Sequence, residues 1–460
     1  MTDERISRLL QEATRLRYSR RQVLRRAVAL GLSVPAVTAA LDRSAIAAPG
    51  PRFGRAPAVL QGTKLTILAA TYFVPAAQDF FVQQAQQWGQ ENNVEMTLDF
   101  VNWPDLQPKI GAAVQAKSGP DIVELWDTWP YLYYQSMVEV NDLANKLGEA
   151  QGGYFDWVVK TAAVDGEWYS IPTGNSTSAF AYRISYFQEA GAEEFPQTWE
   201  ELFEVGKKLK AMGKPLGQAL GHSPGDPPSF VYPYMWAYGA MEVAEDGKTV
   251  MFNQPEFVEG MKIFIQAWKD AFDETGLSWD DSVNNSAFLS DQISATLNGN
   301  SIYLAALKPE EEGGKPEIAE DMSHAGYPAG PAGRFNNLGS RSLGIMSYSG
   351  NVEGAKAFLE WWASEEQYQA WLEVYEGYII PPTPKFIELP VYTEDPKLAP
   401  YAEVATYARN KGYAGPANQN AARVFAEYII VDTFARAVQD GDAEAAIKWG
   451  ADRLERIYGR

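Results

Sequence analysis

Residues 166–183 read GEWYSIPTGNSTSAFAYR and decide how the rest of the chain is interpreted. Positions 168–171 have the composition of a short buried strand, which Pro172 ends because proline has no N–H group to donate across a sheet. Small polar residues follow at 173–178, and positions 179–183 are apolar and aromatic again. This pattern is consistent with a surface loop, or with a polar crossover between two lobes that contacts a ligand. The crossover is our working hypothesis.

Strand-like and helix-like segments alternate along the chain before this crossover. The composition predicts buried strands at 65–70 and 121–125 and a half-buried strand at 94–101, with helices at 76–92 and 105–117 between them. An order of strand, helix, strand, helix and strand is typical of a parallel sheet with helices on its faces. In such sheets the ligand binds beyond the carboxyl ends of the strands. We therefore expect a ligand site at the residues that follow these three strands.

The pattern starts again after the crossover. Thr198 and Glu201 have the spacing of a capping box, which predicts the start of a helix. Strands are predicted at 293–297 and 338–346, and a helix near 420–440 precedes one more helix at the C-terminal end. The predicted fold class is therefore α/β with two lobes, each a mainly parallel sheet flanked by helices, joined by hinge crossovers and followed by a C-terminal helical segment.

Two further segments have the composition of crossovers. They are GYPAGP at 326–331 and GYIIPPTP at 377–384, both rich in proline and glycine. The predicted division of the chain is lobe 1 at 62–172 and 331–376, lobe 2 at 178–325 and 382–460, and hinges near 171–177, 326–331 and 377–382.

Residues 1–47 differ from the rest of the chain in charge. They hold nine arginines and four acidic residues, a net of +5, whereas the whole chain carries −20. The pair Arg20-Arg21, an apolar run at 27–41 and the sequence AIA at 45–47 follow one another in the order of a secretory signal, and the arginine pair resembles the twin-arginine export signal. A basic amphipathic helix on a membrane is the alternative. Residues 48–61 read as a linker.

The composition excludes several classes of function. The chain has no cysteine, which rules out disulfides, thiol catalysis, thiolate metal sites and a bacterial lipoprotein anchor. A net charge of −20 disfavours binding to nucleic acid or to anionic membrane surfaces. His222 and His324 are the only histidines, and no nucleophile elbow, phosphate loop, HExxH or calcium loop is present. We therefore expect no enzyme activity, no cofactor and no metal.

Five motifs together carry a family resemblance. They are SGPDIV at 118–123, GEWYSIP at 166–172, FPQTWEEL at 195–202, AF through LNGN at 287–300, and AKAFLEWW at 355–362. In order and spacing the chain resembles the family 1 extracellular solute-binding proteins of bacterial ABC importers, which include the maltose-binding proteins. The resemblance implies the two-lobed periplasmic-binding-protein fold, a cleft that closes on its ligand, and a membrane permease as partner. Asn300-Ser301 stand where the family often has a bulky aromatic residue, so the resemblance implies no particular sugar.

A sugar needs polar side chains for its hydroxyl groups and flat rings for its C–H faces, which guides the choice of site residues. The candidates at strand ends, in the crossover and around the second lobe are Tyr72, Trp126, Asp127, Trp129, Asn175, Ser176, Tyr232, Trp236, Asn298, Asn300 and Arg341. For Arg341 the alternatives are a clamp on a ligand carboxylate, a pair with Asp127, or a surface position. Trp103 is interpreted as a core residue.

The sequence thus predicts an exported, monomeric binding protein of the periplasm or of the outer face of the cytoplasmic membrane. It would capture a mono- or oligosaccharide between its lobes and deliver it to the transmembrane subunits of an ABC permease. Two alternatives stay open at this point. One is a secreted carbohydrate-active hydrolase, since two carboxylates suffice for that chemistry. The other is a binding protein for a polyamine or another non-sugar solute, because an acidic cleft with aromatic walls suits an ammonium group.

Overall fold

The computed structural model describes residues 62–403 and 407–459. The predicted signal peptide at 1–47 and the linker at 48–61 lie outside the described residues. Among the described helices, none combines the length and the apolar character that a membrane crossing requires.

The described residues form twelve strands, numbered in chain order. They are β1 (Lys64–Ala70), β2 (Glu95–Val101), β3 (Ile122–Trp126), β4 (Ala163–Val164), β5 (Glu167–Trp168), β6 (Ser170–Gly174), β7 (Ala179–Arg183), β8 (Ala295–Asn298), β9 (Met322–Ala325), β10 (Asn336–Asn337), β11 (Arg341–Ile345) and β12 (Ala408–Arg409).

The α-helices of the described chain are numbered in the same way. They are α1 (Pro75–Asn92), α2 (Trp103–Ala116), α3 (Pro130–Tyr133), α4 (Asn141–Ala150), α5 (Asp156–Ala162), α6 (Ile184–Glu189), α7 (Trp199–Ala211), α8 (Asp226–Ala237), α9 (Pro255–Ala271), α10 (Val283–Leu289), α11 (Ser301–Ala306), α12 (Pro316–Asp321), α13 (Val352–Trp362), α14 (Glu365–Val374), α15 (Pro390–Thr393), α16 (Ala399–Glu403), α17 (Gln419–Ala426), α18 (Ile429–Asp440) and α19 (Ala443–Tyr458).

The first sheet has five strands in the order β2-β1-β3-β11-β6. Strand β1 pairs in parallel with β2 and β3, whereas β11 runs antiparallel to both β3 and β6. Four strands therefore point the same way, and their carboxyl ends meet at one edge. The predicted alternation of strands and helices before the crossover is confirmed, because β1, α1, β2, α2 and β3 follow one another in that order.

The second sheet departs from the prediction of a mainly parallel sheet. Its strand order is β8-β7-β9, and β7 runs antiparallel to both neighbours. The prediction was wrong for this lobe because strand composition reveals burial, whereas direction depends on how the chain returns between strands. The two-lobed α/β class itself is confirmed.

Two details of the helices follow from local residues. The capping box at α7 is present, since Thr198 accepts the N–H of Glu201 and the Glu201 side chain accepts the N–H of Thr198. The helix predicted near 420–440 is instead two helices, α17 and α18. Tyr428 lies between them with a φ of 53°, a left-handed conformation that no α-helix continues through.

Two of the predicted hinge segments are hydrogen-bonded to each other. The N–H of Asn175 donates to the carbonyl of Ile380 at 3.0 Å, and the N–H of Ile380 donates to the carbonyl of Asn175 at 2.7 Å. The approach is close because Gly174 has a φ of +86°, and a Cβ there would lie 2.2 Å from the Ile380 carbonyl oxygen. Whether these paired segments act as hinges stays a prediction, as do the lobe boundaries.

Candidate functional site

A cavity of about 570 Å³, its open side included, lies at the edge where the strands of the first sheet end. Residues from every part of the described chain line it: Phe73, Trp103, Trp126, Asp127, Asn175, Ser176, Ser178, Gly225, Asp226, Ser229, Asp281, Asn298, Gly299, Asn337, Gly339, Tyr378 and Lys411.

Three aromatic side chains come from the ends of the parallel strands. Phe73 follows β1, Trp103 begins the helix after β2, and Trp126 is the last residue of β3. The rings of Trp103 and Trp126 meet edge to face with centroids 4.7 Å apart. The Arg341 guanidinium lies 5.1 Å from the Trp103 ring and 5.7 Å from the Trp126 ring, and it supports both indoles.

A buried ion pair forms part of the wall. The Lys411 ammonium group donates to Asp127 Oδ2, and both side chains are about 2% exposed. Glu242 lies next to this pair, where its carboxylate accepts the N–H of Gly412 and the hydroxyl of Tyr458, both at 2.8 Å. Burial lowers the pKa of Lys411, and the charge of Asp127 opposes that shift.

The position of the Asp127 side chain requires a glycine on the facing segment of the chain. The φ of Asp127 is 53°, and its N–H donates to the carbonyl of Ser340 at 2.6 Å. A Cβ at Gly339 would lie 2.0 Å from Asp127 Oδ2, so only glycine leaves room for this carboxylate. The side chain of Asn175 donates to the carbonyl of the same glycine. The crossover and the end of β3 therefore meet at one point of the cavity wall.

An aromatic ring lies next to the NG sequence that follows β8. The Tyr378 ring, from the third predicted crossover, packs directly against the backbone of Gly299. Asn298 also lines this part of the cavity, and its amide group donates to Asp226 Oδ2 at 3.2 Å. Ser301, not an aromatic residue, directly follows Asn300, but the ring of Tyr378 reaches this region from a segment distant in the chain.

Two carboxylates lie at the amino end of α8. Asp281 accepts the N–H of Gly225 at 3.1 Å and that of Asp226 at 2.7 Å. Asp226 accepts the amide groups of Asn284 and Asn298. Burial raises the pKa of both carboxyl groups, and the charge of Asp281 raises that of Asp226 further. Both groups are therefore costly to hold ionised in the absence of a positive partner.

The structure brings some of the predicted site residues together and leaves others elsewhere. Those at the cavity are Trp126, Asp127, Asn175, Ser176 and Asn298. Those outside its lining are Tyr72, Trp129, Tyr232, Trp236, Asn300 and Arg341.

Arg341 lies outside the cavity lining and pairs with Glu124 rather than with Asp127. Its Nε donates to Glu124 Oε1 at 2.9 Å inside the first sheet, where both side chains are 3% exposed. Tyr72 also lies in this interior, with its ring stacked on Tyr375 at 5.5 Å. The chain turns at the end of β1 so that Tyr72 faces the core and its neighbour Phe73 faces the cavity.

The other four residues are buried outside the cavity lining. Trp129 belongs to the core cluster of the first sheet. Tyr232 and Trp236 lie one turn apart on α8 and belong to the core of the second lobe, where Trp236 contacts the Tyr413 ring. Asn300 immediately precedes α11 and is 2% exposed.

Several lining residues were not predicted. Trp103 was interpreted as core, and it is 7% exposed although it lines the cavity. Asp226 follows a loop rich in glycine and proline and opens a helix, which was the available signal for it. Tyr378 lies in a predicted crossover. Lys411 lies in a stretch with no recognised motif, and no sequence signal indicated it.

Rings, amides, carboxylates and one lysine at an edge between two sheets form a site for binding a small polar molecule. Within residues 62–403 and 407–459, no group of three His, Cys, Asp or Glu side chains is placed to hold a metal ion. The fold and this cavity define a two-lobed ligand-binding protein.

Comparison with known proteins gives the family. The profile of the bacterial extracellular solute-binding proteins matches residues 83–400, and the chain belongs to that family. A binding protein of Brucella abortus (strain 2308) is 22% identical over 334 residues, which is 71% of this chain and 76% of that protein. The prediction of a solute-binding protein is confirmed.

Solved structures show the same fold. A sugar transporter from Arthrobacter chlorophenolicus A6 with bound laminaribiose is similar with a TM-score of 0.74 and 17% identity, over 85% of this chain and 99% of that chain. Maltose-bound MalE3 of T. maritima is similar with a TM-score of 0.73 and 19% identity, over 86% of this chain and 100% of that chain.

Proposed function

We propose that the protein binds a mono- or oligosaccharide in this cavity and delivers it to the permease of an ABC importer. The observation that carries the proposal is a set of buried polar atoms on the cavity wall without a partner in the described chain: Trp103 Nε1, Asp127 Oδ1, Asn175 Oδ1 and Asn337 Oδ1. An unsatisfied buried polar atom costs about 1–3 kcal/mol. Sugar hydroxyls both donate and accept, so a bound sugar would satisfy all four.

The aromatic walls support the same proposal. Phe73, Trp103, Trp126 and Tyr378 offer ring surface to the C–H faces of a sugar. Laminaribiose and maltose are bound by the two structural neighbours described above. Because the family consists of solute-binding proteins, we propose that no bond of the sugar is broken here.

We further propose that the protein works outside the cytoplasm. The twin-arginine signal predicted at 1–47 would export it to the periplasm or to the outer face of the membrane, without a lipid anchor since the chain has no cysteine. The predicted hinges near 171–177, 326–331 and 377–382 would let the lobes close on a ligand that contacts both. The permease would then bind the closed form.

A sugar screen tests the function directly. A ligand that binds only the native state stabilises it by RT ln(1 + [L]/Kd), which is about 2.7 kcal/mol at 100 times Kd. We expect at least one sugar of a library of mono- and oligosaccharides to raise Tm, to shrink the radius of gyration in solution scattering, and to be recovered unchanged by chromatography. Hydrolysis products would identify a hydrolase instead. No stabilisation by any carbohydrate would contradict the proposal.

Replacement of Trp126 by leucine tests the aromatic wall. Residues at the centre of a binding site often contribute about 2 kcal/mol or more, so we expect the Kd for the sugar found in the screen to rise about 30-fold. Titration calorimetry measures this change.

Trp129→Leu is the matched control, because Trp129 is a buried tryptophan three residues away that does not line the cavity. Both variants are expected to lower Tm, since both indoles pack in the same core cluster. Only Trp126→Leu should change the Kd. Equal affinity losses in the two variants would contradict a direct contact between Trp126 and the ligand.

A further inference from the structure

The carboxylates of Asp226 and Asp281 form a buried acidic wall on one side of the cavity. Asp226 is 7% exposed and Asp281 is 6% exposed, and both line the cavity. All the hydrogen bonds described above for these two groups come from backbone N–H groups and side-chain amides, which are neutral donors. Across residues 62–403 and 407–459, neither carboxylate forms an ion pair with a lysine, an arginine or a histidine.

The one lysine among the lining residues is already neutralised. Lys411 is paired with Asp127, and Glu242, which is also buried, lies beside the pair as a further acid. Counting the lining residues only, three acids face one base. Buried charges in proteins are normally paired, because an isolated one is expensive to desolvate. The acidic wall thus lacks the positive partner that its burial calls for.

The unpartnered atoms on the wall point to the same kind of ligand. Asp127 Oδ1, Asn175 Oδ1 and Asn337 Oδ1 accept hydrogen bonds but do not donate them, and their residues are 2%, 5% and 8% exposed. Among the buried side-chain polar atoms of the lining residues, Trp103 Nε1 is the one donor without a partner in the described chain. A ligand rich in donors fits this set, and an ammonium group offers three of them. The aromatic walls also attract a cation.

We propose that the solute of this cavity is an amino sugar or another polyhydroxylated amine, whose ammonium group lies against Asp226 and Asp281. This inference rests on the proposed function and narrows its substrate class. Hydroxyl groups of the ligand contact the amides and the Asp127 carboxylate, and the ammonium group supplies the missing positive charge.

Binding of such a solute is coupled to protons. Without ligand, burial raises the pKa of both carboxyl groups; the charge of Asp281 raises that of Asp226 further, and the charge of Asp280 raises that of Asp281, so both groups hold protons more readily than free carboxyl groups do. An ammonium group beside them lowers both pKa values, so binding releases protons and strengthens as pH rises, until the amine itself loses its proton. Other titratable groups facing the pair are Asp280, Tyr327, Tyr378, Tyr401 and Tyr428; burial raises the pKa of each of these tyrosines.

Titration calorimetry on matched ligands tests the proposal. The series are glucose, glucosamine and N-acetylglucosamine, and cellobiose, chitobiose and diacetylchitobiose, with spermidine as an amine without hydroxyls. At pH 7.5 we expect the free amine of a series to bind at least tenfold more tightly than its hydroxyl and acetyl counterparts. Its affinity should fall at least threefold at pH 5.5, and its binding heat should change between buffers of different ionisation enthalpy because protons are released.

The variant Asp226→Asn keeps the shape of the side chain and removes its charge. We expect it to reduce the ratio of amine to hydroxyl affinity at least tenfold. Asp280→Asn is the control, because Asp280 is a neighbouring acid that does not line the cavity, and it should change the ratio less than threefold. If Asp226→Asn does not fold, the buffer and pH experiments on the natural chain still test whether an ammonium group binds at the two carboxylates.

Three results would overturn the inference in distinguishable ways. If a neutral sugar binds as tightly as its amine, the ligand needs no ammonium group, and the sugar-binding function still stands. If spermidine is the tightest ligand, the protein is a polyamine-binding protein, and its ligand needs no hydroxyl groups. If no carbohydrate of either series or of the wider library binds, the proposed function falls, and this inference falls with it.

Discussion

Replacement of Arg341 by methionine is expected to lower the free energy of unfolding by about 3–5 kcal/mol, which is the usual cost of removing one partner from a buried ion pair. Arg341 and Glu124 are each 3% exposed, so Glu124 would be left in the interior without its guanidinium partner. Its Oε2 would retain only the N–H of Ala70, at 2.9 Å. The rings of Trp103 and Trp126 would also lose the cation that supports them.

Urea unfolding followed by circular dichroism measures this effect. The double variant Arg341→Met, Glu124→Gln should recover part of the loss, because the unpaired charge is then gone. Lys64→Met is the control for an exposed pair, since Lys64 and Glu95 are 70% and 60% exposed, and it should cost less than about 1 kcal/mol. A loss below about 1 kcal/mol for Arg341→Met would contradict the assigned role.

Glu242→Gln is expected to stabilise the protein at alkaline pH. Burial raises the pKa of Glu242 from 4.5 to about 7, although hydrogen bonds from Gly412 and Tyr458 favour the ionised form. A carboxyl group with a raised pKa contributes its full stability to the protein below pH 4.5, and this contribution is lost as the pH rises through about 7. At 1.36 kcal/mol per pKa unit, the ionised group costs about 3 kcal/mol at pH 8 and above.

Glutamine preserves both hydrogen bonds of Glu242, because its oxygen accepts from Gly412 and its amide group donates to Tyr458. Urea unfolding at several values between pH 4.5 and 9 should therefore show a falling stability in the natural chain and a flatter profile in Glu242→Gln. Glu245→Gln is the control, since Glu245 is an exposed acid three residues away, and its profile should match the natural one. Equal slopes in all three proteins would contradict the prediction.

The two ion pairs of the first lobe and the cavity have different consequences. Arg341 and Glu124 join neighbouring strands of one sheet and support the tryptophans from behind. Lys411 and Asp127 join residues 284 positions apart at the cavity wall. The first pair therefore acts on stability, whereas the second lies in the cavity wall.

Much of the fold could be predicted because its signals are local. Buried strands and amphipathic helices before the crossover follow from periodicity within windows of five to eighteen residues, and α7 begins at a capping box of four residues. The antiparallel second sheet could not be predicted, because strand direction is set by long connections that leave no local pattern.

The site was predictable only in part for the same reason. The ends of strands β1, β2 and β3 come to one edge, and Trp126 and Asp127 line the cavity there. The pattern does not reveal which side of a strand end faces the cavity, so it does not distinguish Tyr72, which is buried, from Phe73, which lines the cavity.

The sequence by itself determined the α/β class and the alternating strands and helices from β1 to β3, since each depends on neighbouring residues. Only the tertiary structure decided that Arg341 lies in the interior, that Tyr378 packs against Gly299, and that Lys411 pairs with Asp127. These contacts join residues far apart in the chain, and their energy arises from burial that exists only once the sheets and helices have packed.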